Sequence, residues 1–204
     1  MSRRQPEEIR SVTVVGAGTM GHGIAQEFAT SGYDVTLTDV DEEILSTAVE
    51  RIEGSLRKLG VEDPDAVLDR IGTTTDDEAA YGGADLVVEA VPEDIELKRD
   101  VFGAADDLAP EGAVLATNTS TLPITELAEA TDRPERVVGM HFSNPVQLMP
   151  IVEVIRGERT TDEVFDLAVA VGEDVGKTPV LVEKDVPGFL INRINLRFWL
   201  QAVR

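Results

Sequence analysis

Short β-branched apolar runs alternate along this chain with longer stretches whose apolar positions recur every three or four residues. Val12 to Val15, Val35 to Asp39, Arg70 to Thr74, Leu86 to Glu89, Ala113 to Thr117, Val137 to His141, Ile151 to Ile155 and Thr178 to Val182 read as strands. Between the early strands, the stripe Ile44, Leu45, Ala48, Val49, Ile52 and Leu56 predicts a helix that Asp41 caps and Gly60 stops. VEDPDAVLDR reads as a short helical turn, Glu93 to Leu108 as a helix ended by Pro110, and Thr161 to Val171 as another helix. Such alternation predicts an α/β fold with a doubly wound, mostly parallel sheet. The end of the chain behaves differently. From Pro187-Gly188 onward the spacing is helical, but apolar residues lie on more than one side: Phe189, Leu190, Ile191, Ile194, Leu196, Phe198, Trp199, Leu200 and Val203. A helix apolar around most of its circumference expects a partner. The pattern therefore divides the chain into a sheet domain, residues 1–186, and the opening helix of a second, helical domain, residues 187–204.

The first strand runs into a glycine-rich turn. Gly16, Gly18 and Gly21 fit Gly-x-Gly-x-x-Gly directly after a strand and at the start of a helix, the setting in which this spacing signals a dinucleotide site. Gly16 allows the tight turn, Gly18 lets a pyrophosphate approach the backbone, and Gly21 allows close packing of helix on strand. Amides of the turn, Thr19 and Met20 among them, and the positive end of the helix dipole then face the anion. Asp39 ends the second strand about 20 residues further on, where a carboxylate accepts from the adenosine ribose hydroxyls. No arginine lies in the VDEEIL that follows it, and a 2′-phosphate would meet Asp39, Asp41, Glu42 and Glu43, which favours NAD over NADP. An FAD site shares this fingerprint and remains the alternative. Together these features make the sheet a Rossmann-type fold.

Composition narrows the classes. The chain has 42% apolar residues, enough for a packed core, and no apolar run long enough to span a membrane. With no signal-like leader before the first strand, a cytoplasmic location is the expectation. The absence of cysteine excludes disulfides, thiolate nucleophiles and cysteine metal sites, and two histidines, His22 and His141, leave little for zinc. Acidic residues number 39 against 18 basic ones, for a net charge of −21, and only Lys58, Lys98, Lys177 and Lys184 are lysine. Such a surface repels nucleic acid and anionic membranes. Acids spread along the chain in pairs and triplets, with scarce lysine, resemble the adaptation of proteins from halophilic hosts, where counterions screen the repulsion.

In an open α/β sheet, ligands sit beyond the carboxyl ends of the strands. Three places stand out there: Asn118 to Thr121, His141 to Pro145, and Glu153. A carboxylate at Glu153 beside His141 would orient the imidazole and stabilise its protonated form, the pairing that a general base for alcohol oxidation needs. Ser120 and Asn144 could hydrogen-bond the reacting oxygen, although Ser120 could equally serve only to cap a helix at Pro123. His22 reads as an ordinary helix residue.

GAGTMGHGIAQ, VVEAVPEDIELKRDVF, TNTSTLPITELA, HFSNPVQLMPIVEVI and KDVPGFLINRI, in this order, resemble the NAD-binding domain of the L-3-hydroxyacyl-CoA dehydrogenase family. The resemblance covers the chain from Val12 onward. It implies catalytic roles for His141, Glu153, Ser120 and Asn192, with Ser120 and Asn144 beside substrate oxygen and nicotinamide. It also implies cofactor contacts at Asp39, Glu93 and Lys98, substrate contacts at Ser55, Ser120 and Asn192, and reversible oxidation of a 3-hydroxyacyl-CoA to the 3-oxo thioester, as in fatty-acid β-oxidation. Two departures matter. Measured against the family, these residues are expected to include only the first helix of its helical domain, which completes the acyl pocket and forms the homodimer. The stretch after Ser55 is acidic where a coenzyme A phosphate would need cations, leaving Arg57 and Lys58 to make that contact. A dehydrogenase of a non-CoA hydroxy acid, or a non-catalytic NAD-binding module needing a partner chain, are therefore the alternatives.

Overall fold

The computed structural model describes residues 9–202. Its elements follow the periodicity closely: β1 (Ser11–Val15), α1 (Gly21–Thr30), β2 (Asp34–Thr38), α2 (Glu42–Leu59), α3 (Pro64–Leu68), β3 (Ile71–Thr74), α4 (Asp77–Tyr81) and β4 (Leu86–Glu89) come first. They are followed by α5 (Ile95–Leu108), β5 (Val114–Thr117), α6 (Ile124–Ala128), β6 (Val137–Phe142), β7 (Ile151–Ile155), α7 (Asp162–Asp174), β8 (Thr178–Val182) and α8 (Ile191–Ala202). Local chemistry fixes many boundaries. The Asp41 carboxylate accepts from the Glu43 amide at 2.7 Å to start α2, and Gly60, at φ 70°, ends it in the left-handed conformation that glycine adopts without strain. Asp94 caps α5 through the amides of Glu96 and Leu97, so Glu93 lies just outside the helix and is free to face the strand ends.

The eight strands form one sheet in the order β3-β2-β1-β4-β5-β6-β7-β8. All neighbours are parallel except β6 and β7, whose antiparallel register sets His141 directly opposite Glu153. The order reverses between β1 and β4, opening a crevice at their carboxyl ends. Alternate strand residues feed two cores. Val12, Val14, Leu86, Val88, Met140 and Val154 pack with α1, α2 and α7, whereas Val15, Val87, Leu115 and Val137 pack with α5 and α6 on the other face. His141 lies between Met140 and Phe142, and Glu153 between Val152 and Val154, so both point away from the α1 face. No described helix is long and apolar enough to cross a membrane.

Two expectations need correcting, and one element is new. Ile44 is exposed and Val49 only half-buried, so that Leu45, Ala48, Ile52 and Leu56 carry the α2 stripe. Helix α4 is an additional turn, capped by Asp76. Phe189 does not belong to the apolar helix: α8 starts at Ile191, and Phe189 is buried in the α5–α6 core. Leu190, Ile194, Leu196 and Phe198 are exposed, whereas the side chains of Trp199, Leu200 and Val203 lie outside the described residues, as does the start of the chain.

Candidate active site

The glycine turn is as tight as its spacing predicts. A Cβ on Gly21 would sit 1.6 Å from the Gly16 carbonyl oxygen, and one on Gly16, whose φ is 95°, would press on Ala90 at 3.0 Å. Gly18 differs: a Cβ there would meet open space. Helix α1 then begins with no side-chain cap and no acid in its first turn, so its amides and dipole face that space. The Asp39 carboxylate braces the turn, accepting from the Ala17 amide at 2.7 Å and from Val40 at 2.8 Å. Thr19 is exposed and Met20 half-buried at the helix start. His22 is a helix residue whose Nδ1 bonds the Gly18 carbonyl.

At the other strand ends a polar chain runs through the interior. Glu89, closing β4 and 1% exposed, accepts from Lys98 Nζ at 2.6 Å, Thr117 Oγ1 at 2.7 Å and the Val91 amide at 2.7 Å. Burial raises the Glu89 carboxyl above its usual range, and these partners offset only part of that. Lys98 is itself buried, and its ammonium also reaches the Val91 carbonyl at 3.1 Å and Glu93 at 3.4 Å. Glu93 passes the constraint on. One of its oxygens accepts from Thr119 Oγ1 at 2.6 Å, the Ser120 amide at 2.9 Å and the Thr121 amide at 3.0 Å. Burial pushes this carboxyl up, but the bonds from Thr119, Lys98, Ser120 and Thr121 outweigh it and hold it below its ordinary value.

The loop so held presents Ser120, whose Oγ lies 3.1 Å from His141 Nε2. Helix α6 has no side-chain cap, so the alternative role of Ser120 as its cap is excluded. His141 Nδ1 is 2.8 Å from Glu153 Oε2. The second oxygen of Glu153 accepts two backbone amides, Leu190 at 2.8 Å and Ile191 at 2.9 Å, from the start of the last helix. Burial raises the Glu153 carboxyl, and the bonds from His141, Ile191 and Leu190 more than reverse this, keeping it ionised well into acid. Because that carboxylate is an obligate acceptor, Nδ1 is the donor of this pair, and a neutral imidazole so bound leaves the Nε2 lone pair toward Ser120. Asn192 closes the cluster by donating from Nδ2 to the Ser120 carbonyl at 3.2 Å.

Thus Ser120, His141, Glu153, Asn192 and Glu93 converge, with Lys98 acting behind Glu93. Asn144 stands exposed in the loop after β6, and Ser55 is half-buried on α2, outside this hydrogen-bonded cluster. Arg57 is engaged by Glu53 at 2.7 Å and lies 3.8 Å from Asp65. Three contributors escape a reading of motifs. Glu89 is signalled only by a charge at the end of a fully apolar strand. Asn118 ties β5 to β6 by accepting the Phe142 amide at 2.8 Å. Phe189 lays its ring against the His141 imidazole, with centroids 5.8 Å apart.

Residues 11–186 match the NAD-binding domain of 3-hydroxyacyl-CoA dehydrogenases. The chain belongs to that family. Its dinucleotide is therefore NAD. The mitochondrial hydroxyacyl-coenzyme A dehydrogenase of Sus scrofa is 41% identical over 207 residues, covering 96% of this chain and 66% of that protein. The chain thus spans just under two thirds of that relative's length. A crystal structure of (S)-3-hydroxybutyryl-CoA dehydrogenase from Ralstonia eutropha superimposes with a TM-score of 0.91 at 38% identity, covering 95% of this chain and 70% of the other. The 5-formyl-3-hydroxy-2-methylpyridine 4-carboxylate 5-dehydrogenase of Mesorhizobium japonicum is 39% identical over 198 residues, covering 96% of this chain and 64% of that protein.

Proposed function

We propose that this chain carries the cofactor site and the general base of an NAD-dependent 3-hydroxyacyl-CoA dehydrogenase. The observation that carries this reading is the Ser120–His141–Glu153 relay at the strand ends beside the dinucleotide crevice. The crevice suits NAD: the open space at Gly18 and the uncapped start of α1 would take the pyrophosphate, and Asp39 the adenosine ribose. Bound NAD supplies the acceptor for the hydride leaving C3 of the substrate.

The chain's own residues manage the proton. His141 Nε2 accepts it from the 3-hydroxyl, and the Ser120 hydroxyl donates to the same oxygen as it becomes a carbonyl. Glu153 stabilises the imidazolium through Nδ1, while its other oxygen stays bound to the Leu190 and Ile191 amides and so cannot swing away. In the reverse direction His141 returns the proton to the reduced ketone. Asn192 and Glu93 hold the Ser120 loop at its two sides. The exposed Ile194, Leu196 and Phe198 support packing of α8 against further protein, either a helical domain or a second subunit.

A second reading changes the substrate to a hydroxy acid without coenzyme A. The surroundings of Ser55 favour it, since Arg57 is engaged by Glu53 and Asp65 and the following loop is acidic. The Mesorhizobium relative, whose name describes a pyridine carboxylate substrate, supports it too. Comparing NAD reduction by 3-hydroxybutyryl-CoA and by free 3-hydroxybutyrate, in molar potassium chloride to screen the surface charge, separates the two. Preference for the thioester supports the dehydrogenase of acyl-CoA, and preference for the free acid overturns it.

A further inference from the structure

Phe189 stands out as the described non-glycine residue with a positive φ, 48°, and it is 1% exposed. A bulky side chain in that region is held there against its own preference, and such outliers cluster where a site needs a particular backbone geometry. Gly188, at φ 76°, makes the turn together with it. The turn is also tied at both ends, by the Phe189 amide to the Val186 carbonyl at 3.0 Å and by the Arg193 amide to the Gly188 carbonyl at 3.2 Å.

Two consequences of this turn meet at the dyad. It sends the next two amides, Leu190 and Ile191, onto a single oxygen of Glu153 at 2.8 and 2.9 Å. It also directs the Phe189 ring inward, where it lies against the His141 imidazole at 59° between ring planes. A carboxylate so held has one oxygen left for Nδ1, and the phenyl ring beside the imidazole fills space into which it would otherwise tilt. We propose that Phe189 is a positioning residue of the His141–Glu153 pair, its left-handed backbone aiming the two amides and its ring bracing the imidazole. This rests on the proposed role of the pair in proton transfer, but its first readout does not need turnover.

The test uses two variants of the whole chain. Phe189→Val keeps an apolar side chain but is β-branched, which opposes the left-handed backbone most strongly, whereas Phe189→Leu keeps most of the bulk and removes the aromatic ring beside the imidazole. Nitrogen-15 shifts of the imidazoles report the tautomer directly, and with only His22 and His141 in the chain assignment needs one histidine variant, His22→Gln. Wild type is expected to hold the Nδ1–H tautomer at His141. Phe189→Val should give mixed tautomers and a kcat lower by about 10- to 100-fold, the scale set by misplacing a catalytic group by about 1 Å, with KM within about two-fold. Phe189→Leu should shift both readouts in the same direction by less, and it decides the question if the valine variant does not fold. His141 spectra and kcat unchanged from wild type in a folded variant would overturn the proposal. If wild type holds the Nδ1–H tautomer yet turns over no substrate, and the variants lose that tautomer, the positioning role stands and the dehydrogenase reading fails.

Discussion

Replacing Glu153 with glutamine probes the site with almost no change of shape, and the structure dictates which way the new amide must face. One Glu153 oxygen accepts the Leu190 and Ile191 amides, and the other faces His141 Nδ1. A glutamine whose NH₂ pointed at those amides would leave two donors unmatched, at roughly 1–3 kcal/mol each, or roughly 2–6 kcal/mol together. At about 1.4 kcal/mol per decade, the opposite orientation is favoured by at least about thirty-fold. The glutamine NH₂ therefore faces His141 and donates to Nδ1, so the imidazole proton moves to Nε2. Nε2 then has no lone pair to offer Ser120 or a substrate hydroxyl. The wrong tautomer in an intact triad costs about 10⁴ in kcat in the serine proteases, and a loss of about 10³–10⁴ is expected here. The assay pairs initial rates of NADH formation with nitrogen-15 shifts of His141. A Glu153→Gln variant that stayed in the Nδ1–H tautomer, or kept kcat within about ten-fold of wild type, would refute the reasoning.

Other expectations follow from the same geometry. Gly21→Ala must push the turn open, because its Cβ would lie 1.6 Å from the Gly16 carbonyl oxygen, and should lower both melting temperature and NAD affinity; Gly18→Ala should melt like wild type yet lose NAD in a fluorescence titration. Lys98→Met strands the Glu89 carboxylate in the interior and should cost about 3–5 kcal/mol in a urea titration, whereas adding Glu89→Gln should restore most of it. Glu93 titrates below its ordinary value when folded, so its contribution is present above the unfolded-state pKa and lost as pH falls through the folded one. Stability should therefore decline on acidification below about pH 4.5, more steeply in wild type than in Glu93→Gln; the comparison isolates Glu93 from Glu89, whose raised pKa works in the opposite sense. Equal slopes would contradict the assignment.

Much of this arrangement is written locally. Short apolar runs and three- to four-residue spacing mark the strands and helices, and Asp41 and Gly60 bound α2 because capping is a matter of neighbouring residues. The glycine turn is legible for the same reason. The direction of β7 is not, since an apolar run is the same whether its neighbour runs parallel or antiparallel; yet it is this reversal that brings Glu153 across from His141. Lys98 stands in a recognisable motif as a cofactor contact, whereas in the fold its ammonium lies among Glu89, Glu93 and a carbonyl, a pairing across nine residues with no repeating signal. Phe189 is hidden most completely. Its letter is that of a core residue or a helix face, and nothing in composition announces a left-handed backbone at a residue other than glycine.

The most direct measurement is NADH formation from NAD and 3-hydroxybutyryl-CoA in molar potassium chloride, with His141→Ala beside wild type and NAD affinity followed in both. Turnover by wild type, abolished in His141→Ala while NAD affinity is unchanged, is the expected result. Turnover that survives in His141→Ala, or a wild-type chain that binds NAD and leaves the thioester untouched, would contradict a His141-based dehydrogenase.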